Sequence, residues 1–323
     1  MRKVILIVLG LGLLILLLPS RGAELISPFL PGPAKPTPLL KYSFENLRQR
    51  EYLGSEIKLE KIIKKEAAYT SWLFSYQTDG WKITGMANLP AGEGKFPVIV
   101  MLRGYADDEI YFTGLGTRNV AAKFAEAGFI TLAPDFLGFG GSDSSSKDIL
   151  ETRFYRPVEV LNLLASIGGL PQANPQRVGL WAHSNGGQIT ISVLEINRRP
   201  LPTVLWAPVT AGFPEAILNY LGELDDQGLK VKTAIDNFSE TYDPKSYSIT
   251  NYFADIAAPL QIHQGLADPL VKEEWTTEFV DRLHSAGKNV TYYQYPRNDH
   301  NLKQSWDLVV ARDLEFFKKS LVN

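Results

Sequence analysis

The chain has 323 residues, 45% of them hydrophobic, enough to bury a sizeable core in one large domain or two modest ones. Its 33 Lys and Arg nearly balance 35 Asp and Glu, and no long run of one sign occurs, so nothing here marks a surface for nucleic acid. The absence of cysteine excludes a thiol nucleophile, a disulfide framework and a thiolate metal site.

At the N-terminus, Arg2 and Lys3 precede an uninterrupted apolar run, Val4–Leu18, followed by Pro19-Ser20-Arg21. A charged leader ahead of a hydrophobic stretch signals export or membrane attachment. No A-x-A cleavage site follows, so residues 1–23 are expected to be an uncleaved signal anchor, with the rest of the chain outside the cytoplasm. A cleaved signal peptide and a secreted protein are the alternative. Residues 24–41 hold Pro28, Pro31, Pro33, Pro36 and Pro38 and are expected to form an extended spacer. The catalytic domain is then taken as residues 42–323. Its first part, Tyr42–Glu66, is charged and of helical appearance.

Ser71–Tyr76 and Trp81–Leu89 are rich in aromatic and β-branched residues and flank an Asp79-Gly80 turn, which predicts a hairpin. Continuous apolar runs at Val98–Leu102, Phe129–Ala133, Val178–Ala182, Thr203–Trp206, Leu260–His263 and Val290–Tyr295 predict six buried strands. Helical patterns alternate with them at Val120–Ala127, Val158–Ile167, Gln188–Ile196, 272–285 and 305–320. The expected fold is therefore α/β: an eight-stranded, mostly parallel sheet with helices on both faces and antiparallel strands at one edge. Residues 208–257 lack a strand pattern and are expected to form a helical lid, with helices at Pro214–Leu224 and Leu229–Phe238.

One serine stands at the turn between a predicted strand and a predicted helix, in Ala182-His183-Ser184-Asn185-Gly186-Gly187. That context is expected of a nucleophile elbow, where small residues two before and two after let strand and helix backbones nearly touch. Serine needs a base. Of the four histidines, His183 adjoins the serine and is expected to point to the other side of the elbow, His263 lies in a strand and His284 on a helix. His300 sits in a polar loop after the last strand, where open α/β sheets place their chemistry. Asp268 follows the strand carrying His263, giving the order Ser184, Asp268, His300; Asp299 competes only by adjacency, and Asp135 is expected to brace a loop. Oxyanion donors are expected from the backbone N–H of Asn185 and of Tyr105, with the Tyr105 hydroxyl as a further candidate. Arg103 is a candidate for recognising a substrate carboxylate, set against an ion pair with Asp135. No clustered ligand motif suggests a metal, and no cofactor is implied.

Arg103-Gly104-Tyr105, Pro134-Asp135 through Gly141-Ser142, the elbow, Gly265-Leu266-Ala267-Asp268 and Asp299-His300 together resemble the α/β-hydrolase superfamily, and within it the stand-alone catalytic domains related to prolyl oligopeptidase. The resemblance covers about residue 65 to the C-terminus. It implies a triad on Ser184, Asp268 and His300 and an oxyanion loop at Tyr105. Arg103 stands where relatives usually carry His, and Ala182 replaces the first elbow Gly. The implied function is a serine hydrolase acting on a peptide or small-molecule substrate. A carboxylesterase, or an inactive membrane-tethered binding protein on the same fold, are the alternatives. For a peptidase of free amino termini, Glu223, Asp225 and Asp226 of the lid are candidate anchors. Nothing in the sequence speaks to oligomeric state.

Overall fold

The computed structural model describes residues 36–223 and 226–322. The expected signal anchor and the spacer up to residue 35 lie outside the described residues. Among those described, no helix is long and apolar enough to cross a membrane. The compact unit spans Thr37–Asn323, so it takes in residues 37–41, read above as the end of the spacer. Leu39 is buried there, its N–H donating to the Tyr242 hydroxyl at 3.1 Å and its carbonyl accepting from Tyr247 at 3.1 Å.

A short helix α1 (Phe44–Gln49), capped by Ser43, leads into the antiparallel strands β1 (Lys58–Lys65), β2 (Tyr69–Thr78) and β3 (Trp81–Pro90). Asp79 and Gly80 both adopt positive φ (50° and 86°), the conformation a two-residue hairpin turn requires. The α/β portion follows as β4 (Phe96–Leu102), α2 (Arg118–Glu126), β5 (Ile130–Pro134), α3 (Ile149–Ser166), β6 (Ala173–His183), α4 (Asn185–Asn197) and β7 (Thr203–Trp206). The insertion carries α5 (Glu215–Leu218) and α6 (Leu229–Ser239), and β8 (Leu260–Gly265), α7 (Glu273–Ser285), β9 (Val290–Tyr295) and α8 (Trp306–Leu321) complete the chain.

The sheet has nine strands among the described residues, ordered β1-β2-β3-β5-β4-β6-β7-β8-β9, rather than the eight expected. Pairing is antiparallel from β1 through β3 to β5 and parallel thereafter. The additional strand is β1, whose Lys58-Leu59-Glu60-Lys61-Ile62-Ile63-Lys64-Lys65 looks helical by composition. Its residues are almost all exposed, and its lysines suit an edge strand that must not pair with another chain. α3 also differs from expectation, starting nine residues before Val158. Asp148 caps it by accepting from the N–H groups of Leu150 and Glu151 at 2.8 and 3.2 Å, and the helix runs on through Pro157. Pro157 removes the N–H that would serve the carbonyl four residues back, which is why sequence alone suggests a boundary there.

Period-two alternation divides the core. On β4, Val98, Val100 and Leu102 face a cluster covered by α1, α3, α4 and the insertion, whereas Ile99 and Met101 face one covered by α2 and α8. α8 is fastened to the sheet by a buried carboxylate. Asp313 accepts from the indole N–H groups of Trp181 and Trp206 at 3.3 and 2.8 Å and from Gln261 at 3.1 Å, and lies 3.0 Å from His263 Nε2. This network joins β6, β7 and β8 to one point on α8. Asp313→Ala leaves several buried donors without an acceptor and is expected to lower unfolding free energy by about 3 kcal/mol or more, measured by denaturant titration.

Candidate active site

Between β6 and α4, Ser184 sits at φ 56°, ψ −123°, a region that costs a non-glycine residue about 1–3 kcal/mol. Neighbouring backbone holds it there. Its N–H donates to Trp206 O at 2.9 Å, and its carbonyl accepts from Gly187 and Val209 at 2.9 and 3.0 Å. A side chain at 186 is forbidden by contact: a Cβ there would lie 2.3 Å from Leu102 O and 2.5 Å from Arg103 O. Ala182 is fully buried and its methyl packs in the α3/α4-side core, so Ala is accommodated where the elbow pattern commonly has Gly.

Asp268 and His300 come together from the loops after β8 and β9, with Asp268 Oδ2 2.8 Å from His300 Nδ1. The other carboxylate oxygen accepts from the N–H groups of Leu270 and Val271 at 2.8 and 3.0 Å, and Gln264 donates to Oδ2 at 3.2 Å. Burial alone would raise the Asp268 carboxyl; the His300 hydrogen bond and charge, with the two backbone donors, outweigh it and hold Asp268 below the usual carboxylate range. The geometry thus orients the imidazole with Nδ1 toward Asp268 and leaves Nε2 without a hydrogen-bond partner among the described residues. The Ser184 hydroxyl forms no hydrogen bond with His300 among the described residues, a spacing that commonly tightens only when substrate is bound.

The other acids and histidines are engaged elsewhere. Asp299 accepts from the N–H groups of Asn301 and Lys303, both at 3.1 Å. Asp135 accepts from Thr84, Tyr111 and Thr113 at 2.6, 2.6 and 2.9 Å and braces the loop after β5. His263 belongs to the Asp313 network, and His284 contacts Val290 O at 3.3 Å. His183 lies on the face of the elbow shared with Trp181 and Trp206, where its ring centroid is 4.6 Å from that of His300 and its Nε2 bonds His300 O at 3.0 Å. A carbonyl can only accept, so His183 carries its proton on Nε2. Burial, then the neighbouring His300, push its pKa down to about 4, so it stays neutral and pins the His300 loop against the elbow.

The loop after β4 presents its backbone to Ser184. A Cβ at Gly104 would come within 3.0 Å of Ser184 Cβ and 3.4 Å of its Oγ, so a side chain there would crowd Ser184. Next to it, the Tyr105 N–H takes no backbone acceptor, and the Asn185 N–H belongs to the first helical turn, where donors lack intrahelical partners. The Tyr105 hydroxyl is not aimed at the site: it donates to Asp107 at 2.8 Å on a side chain 75% exposed. Arg103 does not offer a surface for substrate. It is buried, donates to the carbonyls of Gly104 and Asp135 at 2.9 and 3.3 Å, and stacks over Phe139 and Tyr111 at 4.1 and 4.6 Å. Its contact with Asp135 is to the main chain, not to the carboxylate.

A cavity of about 280 Å³ opens beside Tyr105 and Asn185. Its walls include Tyr42 and Phe44 from the N-terminal segment and Phe213 and Tyr247 from the insertion. α1 and the insertion therefore enclose space beside Asn185, the residue after Ser184. Asp226 caps the start of α6, accepting from Gly228 and Lys230 at 3.0 and 3.3 Å. Asp225 and the Glu223 side chain lie outside the described residues.

The sequence profile of the prolyl oligopeptidase family matches residues 116–323. Among curated proteins, an uncharacterised 31.7 kDa protein of the traX-finO intergenic region of Escherichia coli is 28% identical over 116 residues, 34% of this chain and 37% of its own length. A second protein of that description is 30% identical over 104 residues, 31% of this chain and 32% of its own. The aligned part thus spans about a third of these relatives. Among solved structures, acetyl xylan esterase 1 of Thermoanaerobacterium sp. JW/SL YS485 superposes with a TM-score of 0.61 at 17% identity, covering 85% of this chain and 92% of that one. A puromycin-hydrolyzing peptidase of Mycobacterium tuberculosis (0.58, 17%, 80% and 40%) and the acylaminoacyl peptidase of Pyrococcus horikoshii (0.59, 17%, 79% and 42%) share the fold in the same way.

Neutral His183 has a stability signature. Its folded pKa of about 4 lies below the ordinary 6.5, so the unfolded chain binds the extra proton first and stability falls as pH drops from about 6.5 to about 4. His183→Gln keeps an N–H donor and removes that titration. Denaturant titrations across this range are expected to show a shallower fall for the variant.

Proposed function

Because the chain belongs to the prolyl oligopeptidase family, we propose that it is a serine hydrolase that cleaves peptide or ester bonds through an acyl-enzyme on Ser184. The observation that carries this reading is the 2.8 Å His300–Asp268 bond, with the His300 carbonyl fastened to His183, the residue before a serine at φ 56°. His300 Nε2 takes the hydroxyl proton as Ser184 Oγ attacks the carbonyl carbon. Asp268, ionised at neutral pH, fixes the imidazole tautomer and stabilises the imidazolium. The developing oxyanion meets the N–H groups of Asn185 and Tyr105, placed in advance by the elbow and by the close approach of Gly104. His300 then returns its proton to the leaving group, and a water activated by the same imidazole releases the acid.

The family favours a peptide bond. An ester is supported separately by the superposition on acetyl xylan esterase 1, which extends over 92% of that chain, against 40% and 42% for the two peptidases. We further propose that the apolar residues 4–18 tether the domain outside the cytoplasm, with secretion after cleavage as the alternative.

Full-length protein is to be assayed against short acyl esters and against aminoacyl and peptidyl amides, the faster class naming the reaction. Ser184→Ala is expected to abolish both turnover and fluorophosphonate labelling, and Asp268→Asn to lower kcat by about 10³–10⁴. A wild-type protein inert to the probe would identify a binding protein on a hydrolase fold. Alkaline carbonate extraction of membranes is expected to leave the protein in the pellet; release into the supernatant would sink the tether.

A further inference from the structure

Arg153 lies on α3 and lines the cavity beside Tyr105 and Asn185. It has no acidic partner among the described residues, and its guanidinium donates to the side-chain carbonyl of Gln188. Gln188 is itself held from the other side, donating to Ala211 O at 2.7 Å. The acids nearest along α3 are committed elsewhere. Glu151 is taken by Tyr42 at 2.9 Å, Ser146 at 2.7 Å and Lys41 at 3.2 Å, and Glu159 by Arg156 at 3.4 Å and the Leu137 N–H at 2.9 Å. Arg156, the other cation of this wall, is thereby paired and also stacks over Phe136 at 4.9 Å. Among the described residues, Arg153 alone of the two has no acidic partner. Burial pushes its pKa down to about 10, against a smaller opposing effect of Tyr220, so it remains cationic at neutral pH.

The position of that charge relative to the reacting carbonyl follows from α4. Asn185, an oxyanion donor under the function proposed above, and Gln188, the partner of Arg153, are three residues apart on one helix, about 4.5 Å of rise. Held at the end of the Gln188 side chain, the guanidinium shares one cavity with Asn185 and Tyr105, so a methylene chain on the acyl group can span from the oxyanion donors to it. Neither Asp268 nor His300 lines this cavity, whereas both oxyanion residues do. The leaving group must sit by His300, which protonates it, so the cavity receives the acyl side. Phe44, Phe154, Phe213, Tyr247 and Ile249 give that chain apolar walls.

We propose that the cavity selects an acyl group ending in a free carboxylate, with Arg153 as its counter-ion and the aromatic walls packing its methylene stem. A guanidinium matches a carboxylate by two parallel N–H···O bonds, which a neutral acyl chain cannot offer. The inference rests on Ser184 being the nucleophile, and the carboxylate has two sources: a dicarboxylic half-ester, or an acidic residue contributing the scissile carbonyl.

The test compares the full-length protein on matched 4-nitrophenyl esters: monoadipate against its methyl ester, and acetyl-glutamate against acetyl-glutamine. Wild type is expected to favour the charged member of one or both pairs by at least tenfold in kcat/KM, the favoured pair naming the source. In Arg153→Met that ratio is expected to fall tenfold or more, while Arg153→Lys retains part of it. Equal turnover of charged and neutral members by wild type, or an unchanged ratio in Arg153→Met, would overturn the proposal. Calorimetry with adipate itself separates this from failure of the catalytic reading. If neither ester turns over, adipate binding that weakens at least tenfold in Arg153→Met still supports the site, and no adipate binding to wild type removes it.

Discussion

The contact between the start of α4 and the end of β4 governs the rest of the site. Carbonyl oxygens of Leu102 and Arg103 occupy the space that a side chain at 186 would need, and Ser184 is driven to φ 56° to let the helix begin there. Three backbone hydrogen bonds, to Trp206 of β7, to Val209 after it and to Gly187 in α4, hold this conformation. From this single close approach follow the half-buried position of Ser184 at the strand–helix turn, the first-turn N–H of Asn185 next to it, and the close placement of Gly104. The strain is local, and the interlocked strand ends carry it.

The parts of this arrangement that were legible in the sequence are those where a local pattern has one structural meaning. Buried parallel strands read as continuous apolar runs, and β7 and β9 fall on Thr203–Trp206 and Val290–Tyr295 as the pattern indicates. Asp268 and His300 were accessible by chain order and by having only four histidines to choose among. β1 was not legible, because an edge strand protected by lysines carries the composition of a solvated helix. α3 was cut short at Pro157, since a proline tolerated inside a helix cannot be told in sequence from one that ends it.

The site contacts that escaped did so for a different reason. Strand alternation sends consecutive side chains to opposite faces, which is why His183 was expected to turn away from the serine. His183 keeps that alternation, sharing its face with Trp181 and Trp206, and the loop after β9 folds over that face so that the His300 carbonyl meets its ring. Arg153 sits among Thr152, Phe154, Tyr155 and Arg156 with no signal of its own. Only the fold brings it to Gln188, thirty-five residues on, and reveals that its neighbours' acids are already taken.

The enclosure of the cavity also changes what family membership conveys. Ser184, Asp268 and His300 fall within the family-matched residues 116–323, but Tyr42, Phe44, Leu47 and Tyr105 of the cavity precede that stretch. Arg48 ties α1 to the insertion through Asp255 at 2.6 Å, and Phe44 stacks on Tyr252 at 4.6 Å, so two segments distant in sequence meet as one wall. The wall of the cavity thus draws on residues both inside and outside the family-matched stretch, so relatives that share that stretch can still differ in the cavity through the N-terminal segment alone.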